Sequence, residues 1–302
     1  MRFLFVQKIP VIPLFALLDH FEKKISLPER SVVITIDDGY KTAKTIAWPI
    51  LARYDFPFTL YIYTHAIGRL PGSLKWDDLR EMADSGVDIQ SHSLTHPLLT
   101  HPGKPMNRKV YLAWLDEELR EPKVKLEAEL HRPVTSLAYP YGGYDERVVE
   151  RTRQAGYTMG LTCDDGDVTS TTNPLLLNRR LVFRQTTLKS FVQYFRALPI
   201  EMGGLSPQDG ERVKDIPKEI RAHILNLQKI VPETAQILVD KLGKHWQPAH
   251  IDPRTGELRF PVMRATRRGY YFVSLVARDR ANPSLQREAS WLFIIRRNVS
   301  KI

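Results

Sequence analysis

A chain of 302 residues with 43% apolar and 26% charged residues has the balance of a globular protein, with room for one large domain or two moderate ones. Its one cysteine, Cys163, excludes an intramolecular disulfide and a cysteine-based zinc site. The 44 basic residues against 34 acidic ones give +10, a charge suited to an anionic surface such as a cell wall. Beyond pairs such as Arg267-Arg268 and Arg296-Arg297 the basic residues are scattered, and the absence of a basic stripe with interleaved aromatics argues against nucleic acid.

The opening MRFLFVQKIPVIPLFALLDHFEKK has a positive start and an apolar run. Gln7 and Lys8 interrupt that run and no small-residue cleavage site follows, so it reads as part of the fold. No segment is long and apolar enough to span a bilayer. In SVVITIDDGY, residues 31–40, Val32, Val33, Ile34 and Ile36 predict a strand covered on both faces. Asp37 and Asp38 end it, and Gly39 permits a tight turn. Two adjacent carboxylates repel each other and are costly to desolvate, and a metal ion is the obvious compensation.

Next come a helical KTAKTIAWPILARY, the strand TLYIY and the helix WDDLREMADSG, which Gly86 stops. The strand VDIQS leads to a long helical stretch over 107–130, which Pro122 should kink or divide. SLAYP, the helix DERVVERTRQAG and YTMGLT complete the series. This alternation predicts a mainly parallel sheet, open or closed into a barrel. Gly and Pro cluster in ALPIEMGGLSPQDG, residues 197–210, and predict a linker. Beyond it QILVD, LRFPV, YYFVSLVA and SWLFII, separated by turn-rich pieces, predict a β-sandwich of roughly 90 residues.

Three strand ends carry the candidate chemistry. His92 and His96 in VDIQSHSLTHP are four apart and can chelate one cation, a weak signal alone. Functional groups collect at the C-terminal edge of parallel strands, where Asp37 and Asp38 also fall. One Asp with two His makes a facial triad with open positions, and the other Asp is placed to take a proton from water. A metal acidifies its water and polarises a carbonyl, which suits hydrolysis of an amide or ester. In AYPYGGYD, residues 138–145, Pro140 and Gly142-Gly143 impose an unusual path, so an N–H near Tyr141 could serve as an oxyanion donor. Asp145 is placed to cap the next helix. Asp164, Asp165 and Asp167 read as a solvated loop. Trp48, Trp76, Trp114, Trp246 and Trp291 read mostly as core packing, and Cys163 as a buried small hydrophobe.

These three stretches, in this order, resemble the polysaccharide deacetylase family (NodB-homology domain, carbohydrate esterase family 4). TIDDGY resembles its first motif, with Ile36 where Phe is usual; SHSLTH is similar to its second and YPYG to its third. The likeness extends through PILARYDFPFTLYIYTHAIG and KWDDLREMADSG, over most of residues 10–197. It implies an α/β fold: a distorted (β/α) barrel deacetylase domain over 1–200, then a small all-β immunoglobulin-like sandwich over 211–302. It implies Asp37 as general base and Asp38, His92 and His96 as ligands of a divalent metal, commonly zinc, with cobalt or nickel possible. The Tyr141 N–H would stabilise the oxyanion. The implied reaction is N-deacetylation of an N-acetylglucosamine polymer, expected outside the cytoplasm or at the cell envelope. AYPYG looks closest to the branch acting on poly-N-acetylglucosamine.

The chain departs from the family pattern twice. Ala138 replaces an Arg that orients the base, and the late LNRRLVF lacks a His that acts as general acid. In the branch just named that His lies in an N-terminal segment, and the opening here resembles the region after it. The expectation is therefore a domain lacking its first strand, in which the identity of the acid stays open and His65 and His101 are the alternatives within the chain. A glycan-binding protein with weak or no turnover is the rival.

Overall fold

The alternating strand and helix patterns form one parallel sheet, and the turn-rich second half forms two further sheets. The computed structural model describes residues 1–28, 30–240, 242, 245–262 and 269–295. The pairs Arg267-Arg268 and Arg296-Arg297 lie outside the described residues. Two units divide the chain. The first is Met1–Gly143, Arg147–Thr162 and Pro174–Leu177; the second is Tyr144–Glu146, Cys163–Asn173 and the chain from Asn178 onward.

In the first unit β1 (Thr35–Ile36), β2 (Thr59–Ile62), β3 (Asp88–Ser91), β4 (Ser136–Ala138) and β5 (Met159–Leu161) lie in the order β1-β2-β3-β4-β5. Every neighbouring pair is parallel. The α-helices among the described residues are α1 (Arg2–Val6), α2 (Leu14–Phe21), α3 (Trp48–Ala52), α4 (Trp76–Asp84), α5 (Arg108–Leu130), α6 (Glu146–Gln154) and α7 (Leu188–Gln193). All four residues of β2 are buried, as expected of a strand with neighbours on both sides. The strand expected around Val32, Val33, Ile34 and Ile36 is shorter and only half-buried. It is the edge of this sheet, and Val32 forms only an isolated bridge to Val11.

α4 begins with a capping box, the Lys75 amide donating to Asp78 Oδ2 at 2.9 Å. The side chain of Asn107 caps α5, accepting from the Val110 amide at 3.0 Å. Pro122 does not divide α5, which runs for 23 residues through it. The carbonyl that the proline leaves without its helical donor finds another, described below.

The second unit contains β6 (Leu198–Pro199), β7 (Met202–Ser206), β8 (Glu211–Val213), β9 (Glu219–Ile224), β10 (Ile230–Val239), β11 (Gln247–Pro248), β12 (His250–Ile251), β13 (Glu257–Pro261), β14 (Gly269–Asp279) and β15 (Gln286–Ile295). One sheet is ordered β11-β10-β14-β15-β6, with β8 also on β15, and the other β12-β13-β9-β7. A single apolar cluster joins Ile220, Ile224 and Leu258 of the second sheet to Ile237, Val273 and Trp291 of the first. β9 was legible but missed: Ile220, Ala222 and Ile224 point inward while Arg221 and His223 face solvent. The predicted linker over 197–210 is instead partly strand. Met202 and Gly203 pair with β9, and the Ile200 amide donates to Glu288 O at 2.8 Å.

The acidic loop is not uniformly solvated. Asp164 is buried, and the Tyr144 hydroxyl sits 2.6 Å from both Asp164 Oδ2 and Asp209 Oδ1. Burial pushes the Asp209 carboxyl up to about 6. Asp165 and Asp167 pair with Arg180. Of the five tryptophans Trp291 alone is fully buried, and Trp246 is exposed. Cys163 is half-buried, 3.8 Å from an Arg179 guanidinium nitrogen.

Candidate active site

β1 ends where the chain turns through two left-handed residues, Asp38 (φ 75°) and Gly39 (φ 73°). Only glycine suits the second, because a Cβ there would strain the backbone and meet Ile62 Cγ1 at 3.2 Å. One strand over, the His92 amide donates to Ile62 O at 2.8 Å, extending the β2–β3 ladder past Ser91. The chain then bends through Ser93 (φ 68°) and His96 (φ 61°), and the His96 amide donates to Ser93 Oγ at 3.0 Å. Left-handed non-glycine residues cost on the order of 1–3 kcal/mol each and persist only where their surroundings hold them.

The result is a triangle of donor atoms. Asp38 Oδ1 lies 3.6 Å from His92 Nε2 and 3.4 Å from His96 Nε2, and the two imidazole nitrogens are 3.1 Å apart. Bonds of about 2.0–2.2 Å to one ion, at tetrahedral to octahedral angles, set ligand separations of about 2.8–3.6 Å. Asp38, His92 and His96 therefore form a group able to hold a metal ion.

The chemistry of the donors fits as well. The Ala138 carbonyl, 2.7 Å from His92 Nδ1, can only accept, so that nitrogen carries the proton and Nε2 keeps its lone pair. Burial pushes the His96 imidazole below its usual range, with His92 adding to the effect; Asp38 and Asp37 pull the other way and do not prevail. His96 is thereby held neutral, as a ligand must be. Exposure rises from the His92 side chain (3%) to His96 (18%) and Asp38 (36%), so the triangle has a deep side and an open one.

Asp37 is not among these donors. It stands beside them, near enough to act electrostatically on His96. Tyr141 is left-handed (φ 58°, ψ 12°) and 69% exposed, and its ring meets the His96 ring edge-on at 4.7 Å. The turn closes through the amides of Gly142 to Tyr139 O and Gly143 to Pro140 O, with the Tyr141 amide outside both bonds. His65 is exposed, its Nδ1 3.2 Å from Arg69 Nη1, and His101 is also exposed. Asp145 precedes α6 and accepts from Arg212 at 2.7 Å.

Two residues of the site escaped sequence reasoning. Tyr63 stacks obliquely on His96 at 5.1 Å, and burial raises its phenol. Glu118 on α5 is 3% exposed, and its carboxylate accepts from the Leu94 amide (3.1 Å), the Thr95 amide (3.0 Å) and the Thr95 hydroxyl (2.6 Å). A signal for Glu118 existed, since it shares a helix face with Leu115, Leu119, Pro122 and Leu126, where a lone carboxylate needs partners.

Residues 24–160 match the model of the family described as Polysaccharide deacetylase. The chain is 28% identical over 170 residues to a poly-β-1,6-N-acetyl-D-glucosamine N-deacetylase of Staphylococcus aureus, covering 54% of this chain and 58% of that protein. It thus spans less than two thirds of that relative. Among solved structures it is similar to BC0361, a polysaccharide deacetylase from Bacillus cereus (25% identity, TM-score 0.54, 64% of this chain and 58% of that one). The deacetylase domain of BpsB from Bordetella bronchiseptica shares the fold, with 23% identity and a TM-score of 0.56 over 60% of this chain and 82% of that one. Among the described residues no helix is long and apolar enough to cross a membrane.

Proposed function

We propose that residues 24–160, which match the model of the polysaccharide deacetylase family, form a deacetylase domain, and that the chain is a metal-dependent hydrolase removing N-acetyl groups from an N-acetylglucosamine-containing polysaccharide. The observation that carries the proposal is the donor triangle of Asp38, His92 and His96, with edges of 3.1, 3.4 and 3.6 Å. These three residues would hold a divalent ion, zinc in the first instance, with cobalt or nickel compatible with the same donors. Such an ion, when bound, supplies Lewis acidity toward an acyl oxygen and toward water.

The remaining roles fall to neighbouring groups. Asp37 is the general base, holding the proton taken from the attacking water at a carboxylate next to the ligand Asp38. The Tyr141 amide, outside the bonds that close its turn, is the donor for the oxyanion of the tetrahedral intermediate. The side chains of Tyr63 and Tyr141 flank His96 and hold its ring between them. The leaving amine needs a proton, and His65 and His101 are the donors to test. We assign the deacetylase domain to the first unit, within the expected span 1–200, and an accessory immunoglobulin-like sandwich to the strands from β6 onward, which takes in β6 and β7 ahead of the expected 211–302. A polymeric substrate of this kind places the activity outside the cytoplasm or at the cell envelope.

Ala138 favours a second reading. Its buried methyl group offers no charge to orient Asp37, which suits a glycan-binding protein with weak turnover. Acetate and free amine measured on β-1,6- and β-1,4-linked N-acetylglucosamine oligomers decide between the two. Release of both products in equal amounts supports the hydrolase. Oligomer binding without release supports the binder.

A further inference from the structure

We propose that Glu118 and Pro122 act together as a positioning pair for the loop that carries His92 and His96. The inference rests on the metal site proposed above. Pro122 sits inside α5. A helix-interior proline has no N–H, so the carbonyl four residues earlier loses its helical donor. That carbonyl belongs to Glu118, and it accepts instead from the Leu94 amide at 3.1 Å. The Glu118 carboxylate takes the same amide at 3.1 Å together with the amide and hydroxyl of Thr95 at 3.0 and 2.6 Å. Leu94 and Thr95 lie between the two histidines, in a loop bent at left-handed Ser93 and His96.

Main chain and side chain of one residue thus grip both central residues of the loop. A buried carboxylate is tolerated there because three donors from the loop satisfy it. The loop in return is fixed at the separation that puts both imidazole nitrogens on one ion. Groups that orient ligands in this way typically govern metal affinity by about 10–100-fold.

The test is zinc affinity of the full chain, measured by competition with a chromophoric chelator, beside the cobalt absorption spectrum and the melting temperature of the metal-free protein. Glu118→Gln keeps the shape but turns an amide donor toward the loop's donors. Zinc affinity should fall about 10–100-fold and the cobalt spectrum should change. Pro122→Ala restores the helical N–H, which draws the Glu118 carbonyl back into α5. Helix propensity favours this variant, so its melting temperature should hold or rise while zinc affinity falls by about threefold or more. A purely structural role does not produce these opposite signs. Wild-type zinc affinity, within about twofold, in Pro122→Ala or in a folded Glu118→Gln overturns the pair. If Glu118→Gln does not fold, Pro122→Ala decides alone. Failure of the wild-type chain to bind zinc overturns the metal site itself, and this inference with it.

Discussion

The Ala138 carbonyl oxygen lies 2.7 Å from His92 Nδ1. A main-chain atom therefore sets the tautomer of the deepest donor, whatever the side chain at 138. Ala138→Ser should leave zinc affinity within about twofold of wild type, because it keeps the carbonyl and adds one small atom. His92→Ala removes a donor outright and should lower affinity by roughly two orders of magnitude or more. Zinc titration against a competing chelator compares the two.

Adjacent aspartates should separate by the property they affect. Asp37→Asn removes a base outside the donor triangle, so zinc should still bind while kcat for acetate release falls by about 10²–10⁴-fold. Asp38→Asn removes a charged donor and should lose zinc first. A loss of zinc in both variants would mean that the carboxylates share one role.

His65 and His101 are both exposed, and His65 faces Arg69 at 3.2 Å. Replacing either with Ala should reduce acetate release by no more than about threefold, whereas a loss beyond about 10²-fold would identify that residue as the acid.

In the second unit, stability should fall as pH rises through about 6, where burial places the Asp209 carboxyl. Its ordinary value is 3.8, so between the two the folded state holds a proton that the unfolded state has released. The contribution is complete below the unfolded value and lost above the folded one, on the order of 3 kcal/mol at most. Asp209→Asn keeps an oxygen for the Tyr144 hydroxyl and the Leu292 amide, which Asp209 Oδ1 now accepts at 2.6 and 3.1 Å. Melting curves from about pH 4 to pH 8 should show a weaker pH dependence in the variant than in wild type. Equal slopes would assign the dependence to other groups.

Much of the first unit was legible because its strands announce themselves locally. TLYIY, VDIQS and SLAYP are short apolar runs bounded by turn residues, and they became β2, β3 and β4. The motif residues could be read because adjacent aspartates and spaced histidines are rare enough at strand ends to invite chemistry. Longer-range relationships left no local trace. The half-burial of Val32 to Ile34 depends on β1 being an edge, which only the strand order reveals. Residues 197–210 look like a linker by composition, yet β7 pairs with β9 through backbone groups that composition does not encode. Sequence alone predicts that Pro122 kinks or divides a helix; its consequence for Glu118 and Leu94 appears only when residues 24 positions apart in sequence meet.

The most direct measurement is acetate release from N-acetylglucosamine oligomers by chelator-stripped protein as zinc is returned. If Asp38, His92 and His96 hold the ion that supports the reaction, release should be absent without metal. It should then rise to a plateau near one equivalent in wild type and stay at the baseline in Asp37→Asn. Release that survives chelation, or zinc that binds without any release from either linkage, would contradict a metal-dependent deacetylase.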